Sequence, residues 1–297
     1  MGKKKIFVSG GSGFNGKNFI EQAGKEYEIV APSRKELDLL DSEAVEKYFE
    51  KNPVDAVFHC ASIGGSRKVK VENLAEKNLR MFFNIIKCKK YWKKMIQCGS
   101  GAEYSKLHSN PKMDEEYFGK HLPADDYGFY KYVCSKYIEN AEEDIVCLRM
   151  FGCYGKYEDY ETRFISNNCA KAAFDLPMSI ANKNVFFDYL YIDDFVKIVK
   201  YFIENRGRYK FYNATPDKPV DLLSIAKKIN EVTGKSLEIK VSNPGMGREY
   251  TGDNSRLREE IKGLEFTPIE EGIRELCRYY SENKGKLDIE KLKADRY

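Results

Sequence analysis

The sequence predicts an α/β fold, a parallel β-sheet flanked by helices, with a smaller C-terminal lobe attached. Three observations carry that prediction. Short apolar runs alternate with helix-length amphipathic stretches as far as Met150, and the first apolar run ends directly in a cluster of glycines. Beyond Met150 the rhythm loosens, yet no internal repeat or long linker interrupts it. Such alternation is the sequence form of right-handed βαβ units on a parallel sheet.

The elements follow in order. Lys5 to Ser9 reads as a first strand, and Phe14 to Ala23 as a helix. Tyr27 to Ala31 gives a second strand, then Ser42 to Lys51 a helix that Asp41 or Ser42 can cap. Asn52-Pro53 breaks the chain before a third strand, Val54 to Cys60. A long helix is expected over Val71 to Lys90, a fourth strand over Lys94 to Cys98, a helix over Tyr127 to Glu143 and a strand over Ile145 to Met150. Later helices are expected at Thr162 to Lys171, Ile192 to Ile203, Leu222 to Thr233 and Ile269 to Tyr280. Strands are expected at Asn184 to Leu190, Tyr209 to Asn213 and Leu237 to Val241. Residues 1–155 are thus read mainly as one domain and 156–297 mainly as the lobe, with segments of about 184–213 returning to the first domain.

Composition narrows the classes. At 297 residues the chain can bury one large core with a lobe attached. No apolar run approaches the roughly 18 residues of a membrane span, and the basic start feeds a strand pattern rather than a secretory segment. The formal charge of +4 is small. The densest basic stretches, Lys87 to Lys94 and Arg67 to Lys70, read as helix ends and solvated faces, so no nucleic-acid partner is expected. The eight cysteines form no Cys-x-x-Cys pair, and His59, His108 and His121 are the only histidines. They imply reduced thiols in a cytoplasmic protein, with no disulfide framework and no metal.

The glycines carry the first chemistry. Gly10, Gly13 and Gly16 follow the first strand at the spacing of a Rossmann-type dinucleotide site, with Phe14 and Asn15 between them. The first glycine permits the tight turn, the second lets backbone approach a pyrophosphate, and the third lets the helix sit close to the strand. At the end of the second strand stand Ser33 and Arg34, where an NAD-selective site usually places an acid. Arg34 suits a 2′-phosphate, so NADP is expected over NAD. Asp38, further on, is assigned to the adenine side.

Two Tyr-x-x-x-Lys arrays overlap, Tyr127 with Lys131 and Tyr132 with Lys136. Spaced i and i+4 on a helix, a phenol and an ammonium share one face. The cation favours the phenolate and so makes tyrosine a usable proton carrier. A Ser or Thr hydroxyl would complete the arrangement. Spacing alone leaves open which array is catalytic.

In these motifs the chain resembles the extended short-chain dehydrogenase/reductases that act on nucleotide sugars. Members typically read Tyr-Gly-x-Ser-Lys. Here Tyr127-Gly128-Phe129-Tyr130-Lys131 matches with Tyr130 in place of the serine, which selects Tyr127 and Lys131 and places the family's Ser/Thr at Ser100. Asn78, the run from Arg149 to Gly155, that from Asp188 to Asp194, and Tyr212-Asn213 extend the resemblance over nearly the whole chain. It implies cofactor contacts from Leu39, Cys60, Ala61, Ser62 and Asn78, a nucleotide-diphosphate sugar substrate, and a homodimer formed through the helices near 71–90 and 127–143.

Departures shape the expected reaction. Dehydratases of the family follow the catalytic Ser/Thr with Asp-Glu, whereas this chain has Gly101-Ala102. The stretches Ser33 to Leu39 and Ala61 to Gly65 are similar to GDP-fucose synthase, but the epimerising cysteine of that enzyme type falls on Ala102. Phe187 replaces the arginine usual before Asp188, leaving Arg163, Asn168, Arg248 and Arg256 as candidate substrate contacts. The expectation is an NADPH-dependent reductase of a nucleotide-linked 4-keto-6-deoxy sugar. The alternatives are an NAD(P)-dependent 4-epimerase using the same Ser100, Tyr127 and Lys131, and a dinucleotide-binding sensor or scaffold without turnover.

Overall fold

The computed structural model describes residues 2–64 and 71–294. Gly65 and the basic stretch Arg67 to Lys70 lie outside the described residues.

Five strands, β1 (Lys5–Ser9), β2 (Glu28–Val30), β3 (Val54–His59), β4 (Trp92–Ser100) and β5 (Ile145–Met150), alternate with helices α1 (Phe14–Ala23), α2 (Ser42–Lys51), α3 (Leu74–Lys87) and α4 (Asp126–Asn140). The chain continues through β6 (Cys153–Tyr154), α5 (Phe164–Ala173), β7 (Met178–Ile180), β8 (Phe186–Phe187), β9 (Leu190–Tyr191) and α6 (Ile192–Glu204). It then forms β10 (Phe211–Asn213), β11 (Val220–Asp221), α7 (Leu222–Thr233), β12 (Ile239–Val241), α8 (Ser255–Glu260), α9 (Ile269–Glu282) and α10 (Ile289–Lys293).

The main sheet has six strands in the order β10-β5-β4-β3-β1-β2, all paired in parallel. Its order reverses at β1, whose neighbours are β2 and β3. In open parallel sheets such a switch point opens a crevice at the carboxyl ends of the strands.

Both faces of the sheet are covered, and the period-2 alternation shows it. Ile6, Val8, Ala56, Phe58, Ile96, Cys98, Val146 and Leu148 enter one core with residues of α1, α5 and α6. Phe7, Val57, Met95, Ile145 and Cys147 enter another with residues of α2, α3 and α4. Strands buried on both faces read as continuous apolar runs, as β1 and β3 do. In the lobe α5, α7 and α9 pack on one another, and β7 pairs with β12 and β8 with β11.

Several boundaries differ from the sequence reading, three of them for plain local reasons. The long helix starts at Leu74 and ends at Lys87, because Asn73 adopts a left-handed conformation and a 3₁₀ turn over Lys89–Tyr91 follows. β4 runs to Ser100, since its pairing with β5 continues to Ser100 opposite Met150. The strand expected over Asn184 to Leu190 is split into β8 and β9, which pair with different partners. No helix among the described residues is long and apolar enough to cross a membrane.

Candidate active site

A cleft of about 770 Å³ runs along the carboxyl edge of the sheet. Its floor at one end is the turn after β1. Gly10 takes φ +74°, and a Cβ there would lie 2.8 Å from Ala61 Cα, so this glycine lets the turn meet the loop after β3. A Cβ on Gly16 would lie 2.3 Å from the Gly10 carbonyl oxygen, so the helix meets the turn only because residue 16 has no side chain. α1 opens at Gly13 with no side-chain cap and no acid in its first turn. Its first N–H groups, which have no partner inside the helix, are left for an anion. Asn15 lines the same end, and its Oδ1 is buried without a hydrogen-bond partner among the described residues. These features fit a dinucleotide pyrophosphate.

Ser33, Arg34, Asp38 and Leu39 line the cleft beyond β2. The exposed Arg34 guanidinium stands 3.6 Å from the Asp38 carboxylate, which also accepts the Leu40 N–H. Cys60, Ala61 and Ser62 line the opposite wall. Ser9 Oγ is bonded to His59 Nδ1 at 2.6 Å and accepts the N–H groups of Cys60 and Ala61. Burial, then the charge of Lys131, pushes His59 down to about 3, so it stays neutral. Asn78 lies behind this wall and grips Ile63 through both its N–H and its carbonyl.

The end of β4 and the start of α4 bring together residues named from the motifs. Ser100 and Tyr127 both line the cleft. Asp125 caps α4 by accepting the Gly128 N–H at 2.9 Å, which sets Tyr127 in the first turn. One turn later Lys131 is buried, donates to the Cys98 carbonyl, and has its Nζ 5.9 Å from the centre of the Tyr127 ring. Burial acts to lower the lysine, but Tyr130 and Tyr127 outweigh it and hold the ammonium well above its ordinary value. The second array sits elsewhere. Tyr132 packs on Phe118, and Lys136 is bonded to Glu139.

Gly16, Lys131, Ala102, Asn78, Asn168, Arg248 and Arg256 do not line the cleft, whereas Arg163 does. Ala102 is buried under Ser100, donating its N–H to the Ser100 hydroxyl. Asn168 is buried in α5 and accepts the Ser179 N–H. Arg248 is bonded to the Leu107 carbonyl, and Arg256 to Glu116.

Sequence reasoning passed over several groups. Glu103 is fully buried: it accepts the Ser100 N–H at 2.8 Å and the Ser135 hydroxyl at 2.6 Å, and it pairs with Arg149 Nε at 2.7 Å. Arg149 in turn lies over the rings of Tyr104, Phe118 and Phe211. Tyr130, in the usual serine position, meets the Ser62 hydroxyl at 2.8 Å and abuts Tyr127 edge-on. Glu158 lines the cleft, bonded to Ser166 Oγ, and burial raises it to about 7. Glu158 had no local signal, because its partner lies on another element, whereas the Ser100-x-x-Glu103 spacing of a capping box was a signal for Glu103.

Residues 6–214 match the NAD dependent epimerase/dehydratase family. The chain belongs to that family. As a member it is an NAD(P)-dependent oxidoreductase or epimerase of the nucleotide-sugar class. It is 24% identical over 320 residues to ADP-L-glycero-D-manno-heptose-6-epimerase of Brachyspira hyodysenteriae, covering 95% of this chain and 99% of that protein. To GDP-L-colitose synthase of Yersinia pseudotuberculosis it is 23% identical, with 94% and 99% covered. Among solved structures of the same fold, UDP-glucose 4-epimerase of Thermotoga maritima superposes with a TM-score of 0.82 at 22% identity, covering 94% of this chain and 99% of that one. A GDP-L-fucose synthetase of Naegleria fowleri bound to NADP gives 0.81 at 19% identity, with 95% and 94% covered. Of the three residues named from the motifs, Ser100 and Tyr127 line the cleft and Lys131 is buried one helical turn from Tyr127.

Proposed function

We propose that this protein is an NADPH-dependent reductase of a nucleotide-diphosphate 4-keto-6-deoxy sugar. One observation carries the reading: Ser100 and Tyr127 share the cleft with the glycine turn, and the residues after Ser100 offer no second acid–base group. Gly101 and Ala102 bear neither carboxyl nor thiol, and Glu103 is locked in its pair with Arg149. Elimination of water or ring epimerisation needs an acid–base pair beside the reacting carbon. Carbonyl reduction needs a single proton donor.

When bound, the reduced nicotinamide supplies the hydride. Ser100 Oγ donates a hydrogen bond to the substrate carbonyl oxygen, and the Tyr127 phenol delivers the proton to that oxygen as it gains charge. Lys131 stabilises the phenolate left behind, and its buried ammonium holds the ribose hydroxyls of the cofactor. Arg34 and Ser33 select the 2′-phosphate. Arg163, at the cleft and at the start of α5, meets the substrate diphosphate together with the uncapped helix end.

The Arg34–Asp38 contact supports a second reading. Asp38 places a carboxylate at the ribose end, where it favours NAD, and a 4-epimerase with retained NAD would use the same Ser100, Tyr127 and Lys131. Purified protein supplied with NADPH and a panel of nucleotide-linked 4-keto and 4-hydroxy sugars separates the two. Net NADPH consumption supports reduction. Interconversion of 4-hydroxy sugars without net cofactor use replaces it with epimerisation, and neither reaction across the panel points to a sensor. We further assign residues 1–155 mainly to cofactor binding and 156–297 mainly to substrate, and α3 with α4 to a homodimer contact that sedimentation would test.

A further inference from the structure

Tyr130 stands where the Tyr-Gly-x-Ser-Lys motif carries serine, and the chemistry of the cleft leaves it without a role. Its side chain crosses from α4 to the loop after β3, where its hydroxyl meets Ser62 Oγ at 2.8 Å. A serine at residue 130 would end a ring's length short of that loop. The two hydroxyls differ in their surroundings. Tyr130 is 3% exposed, whereas Ser62 is exposed and lines the cleft.

Burial fixes the sense of this bond. Among the described residues, each of the two hydroxyls has the other as its single hydrogen-bond partner. If Ser62 donated, the phenol proton would be left in the protein interior without an acceptor, which is costly. Tyr130 therefore donates and Ser62 Oγ accepts. Burial, opposed in part by the charge of Lys131, also pushes Tyr130 up, so the phenol keeps the proton it donates. The one proton of the Ser62 hydroxyl is then free to be given on the cleft side. Both ends of the pair are held. The Tyr130 ring stands edge-on to Tyr127, with centroids 5.4 Å apart and planes at 87°, and Lys131 Nζ lies 5.2 Å from its centre. On either side of Ser62, Ala61 donates its N–H to Ser9 Oγ and Ile63 is gripped by Asn78.

We propose that Tyr130 is a positioning residue for the cofactor: by donating to Ser62 it turns the Ser62 hydroxyl proton toward an acceptor oxygen of the dinucleotide. The proposal rests on cofactor binding at the glycine turn, and it holds for reduction and epimerisation alike. Tyr130 acts through Ser62 and touches no ligand itself. An accepting phenol in its place would hold the serine equally well but turn its proton inward.

A double-mutant cycle on cofactor binding tests this. Kd for NADPH and for NADH is read by fluorescence titration of the parent protein, Ser62→Ala, Tyr130→Phe and the double variant. Phenylalanine keeps the ring against Tyr127 and Lys131 and removes only the hydroxyl. The expected losses are about tenfold for Ser62→Ala and about threefold for Tyr130→Phe, alike for both dinucleotides. The double variant should lose no more than Ser62→Ala, because Tyr130 acts through Ser62. An unchanged Kd in Tyr130→Phe, or a double variant weaker by about thirtyfold, overturns the proposal. Thermal melting gives a second readout. Ser62→Ala strands the buried phenol and lowers Tm, and Tyr130→Phe added to it restores Tm. A double variant that melts below Ser62→Ala overturns the pairing. Where a sugar is turned over, the effect of Tyr130→Phe falls on KM for NADPH rather than on kcat. If no sugar is turned over, the reductase reading fails by itself, and the binding cycle still decides this contact.

Discussion

The glycine-rich end of the cleft is walled by main chain, whereas the aromatic end is walled by side chains from distant segments. At the first, Gly10, Gly13 and Gly16 fall within one turn and one helix start, and the surfaces they present are carbonyls and N–H groups. At the second, Phe151, Phe187 and Tyr250 meet from three places in the chain and leave room for nothing larger than glycine at 101. A site made of backbone recognises what every dinucleotide shares. One made of convergent side chains can be altered residue by residue, which leaves its selectivity open to change.

Breaking the chemistry where the two ends meet should give the largest effect. Tyr127→Phe is expected to lower kcat by about 10²- to 10⁴-fold, the span of a general acid, with NADPH affinity unchanged in a fluorescence titration. A variant that turned over at the parent rate would remove Tyr127 from the mechanism. Glu103→Gln comes next, because it leaves the fully buried Arg149 beside a neutral amide. A loss of about 3–5 kcal/mol is expected in urea unfolding, together with a loss of kcat from a misplaced Ser100. Gly16→Ala tests the backbone end: a methyl against the Gly10 carbonyl should cost about 1–3 kcal/mol of stability and weaken dinucleotide binding without altering sugar selectivity.

Smaller effects sharpen the contrast. Arg34→Ala should reduce the preference for NADPH over NADH by about tenfold, comparable to one charge-assisted contact, and mass spectrometry of cofactor released on denaturation would report the same preference. The pH dependence is subtler. Burial raises Asp188 to about 7 from its ordinary 3.8. The folded state therefore binds its proton more tightly than the unfolded chain, and the associated stability is present at low pH and lost as pH rises through about 7. Asp188→Asn should flatten the fall of Tm between about pH 4 and pH 7. An unchanged slope would mean that other groups set it.

The two ends also differ in how far the sequence alone exposes them. The first three strands, α1 and the glycine turn were readable because each depends on residues within one or two turns, and α2 and α7 were read to their observed ends, Ser42–Lys51 and Leu222–Thr233. The split of the strand expected over Asn184 to Leu190 was not readable, since β8 is set by pairing with β11 and β9 by pairing with β6. For the same reason Tyr127 and Ser100 could be named from motifs, and Tyr130 as a departure from one, while the contacts of Glu103, Tyr130 and Tyr250 could not. Glu103 draws its meaning from Arg149, Tyr130 from Ser62 and Tyr250 from Gly101, and each partner lies on another element. Arg248 and Arg256 illustrate the converse: a cation in the right half of the chain says little about position until the fold ties it to Leu107 or Glu116.

The lodging of the Tyr250 hydroxyl against Gly101 also sets an order on mutational history. A descendant of this chain that acquired a carboxylate at residue 101 would have to move both the phenol and the Phe151 ring aside. A path toward a larger residue at 101 therefore begins outside its own loop, with smaller residues at 250 and at 151, whose ring stands equally close. Laboratory evolution from a library confined to residues 100–104 would miss it.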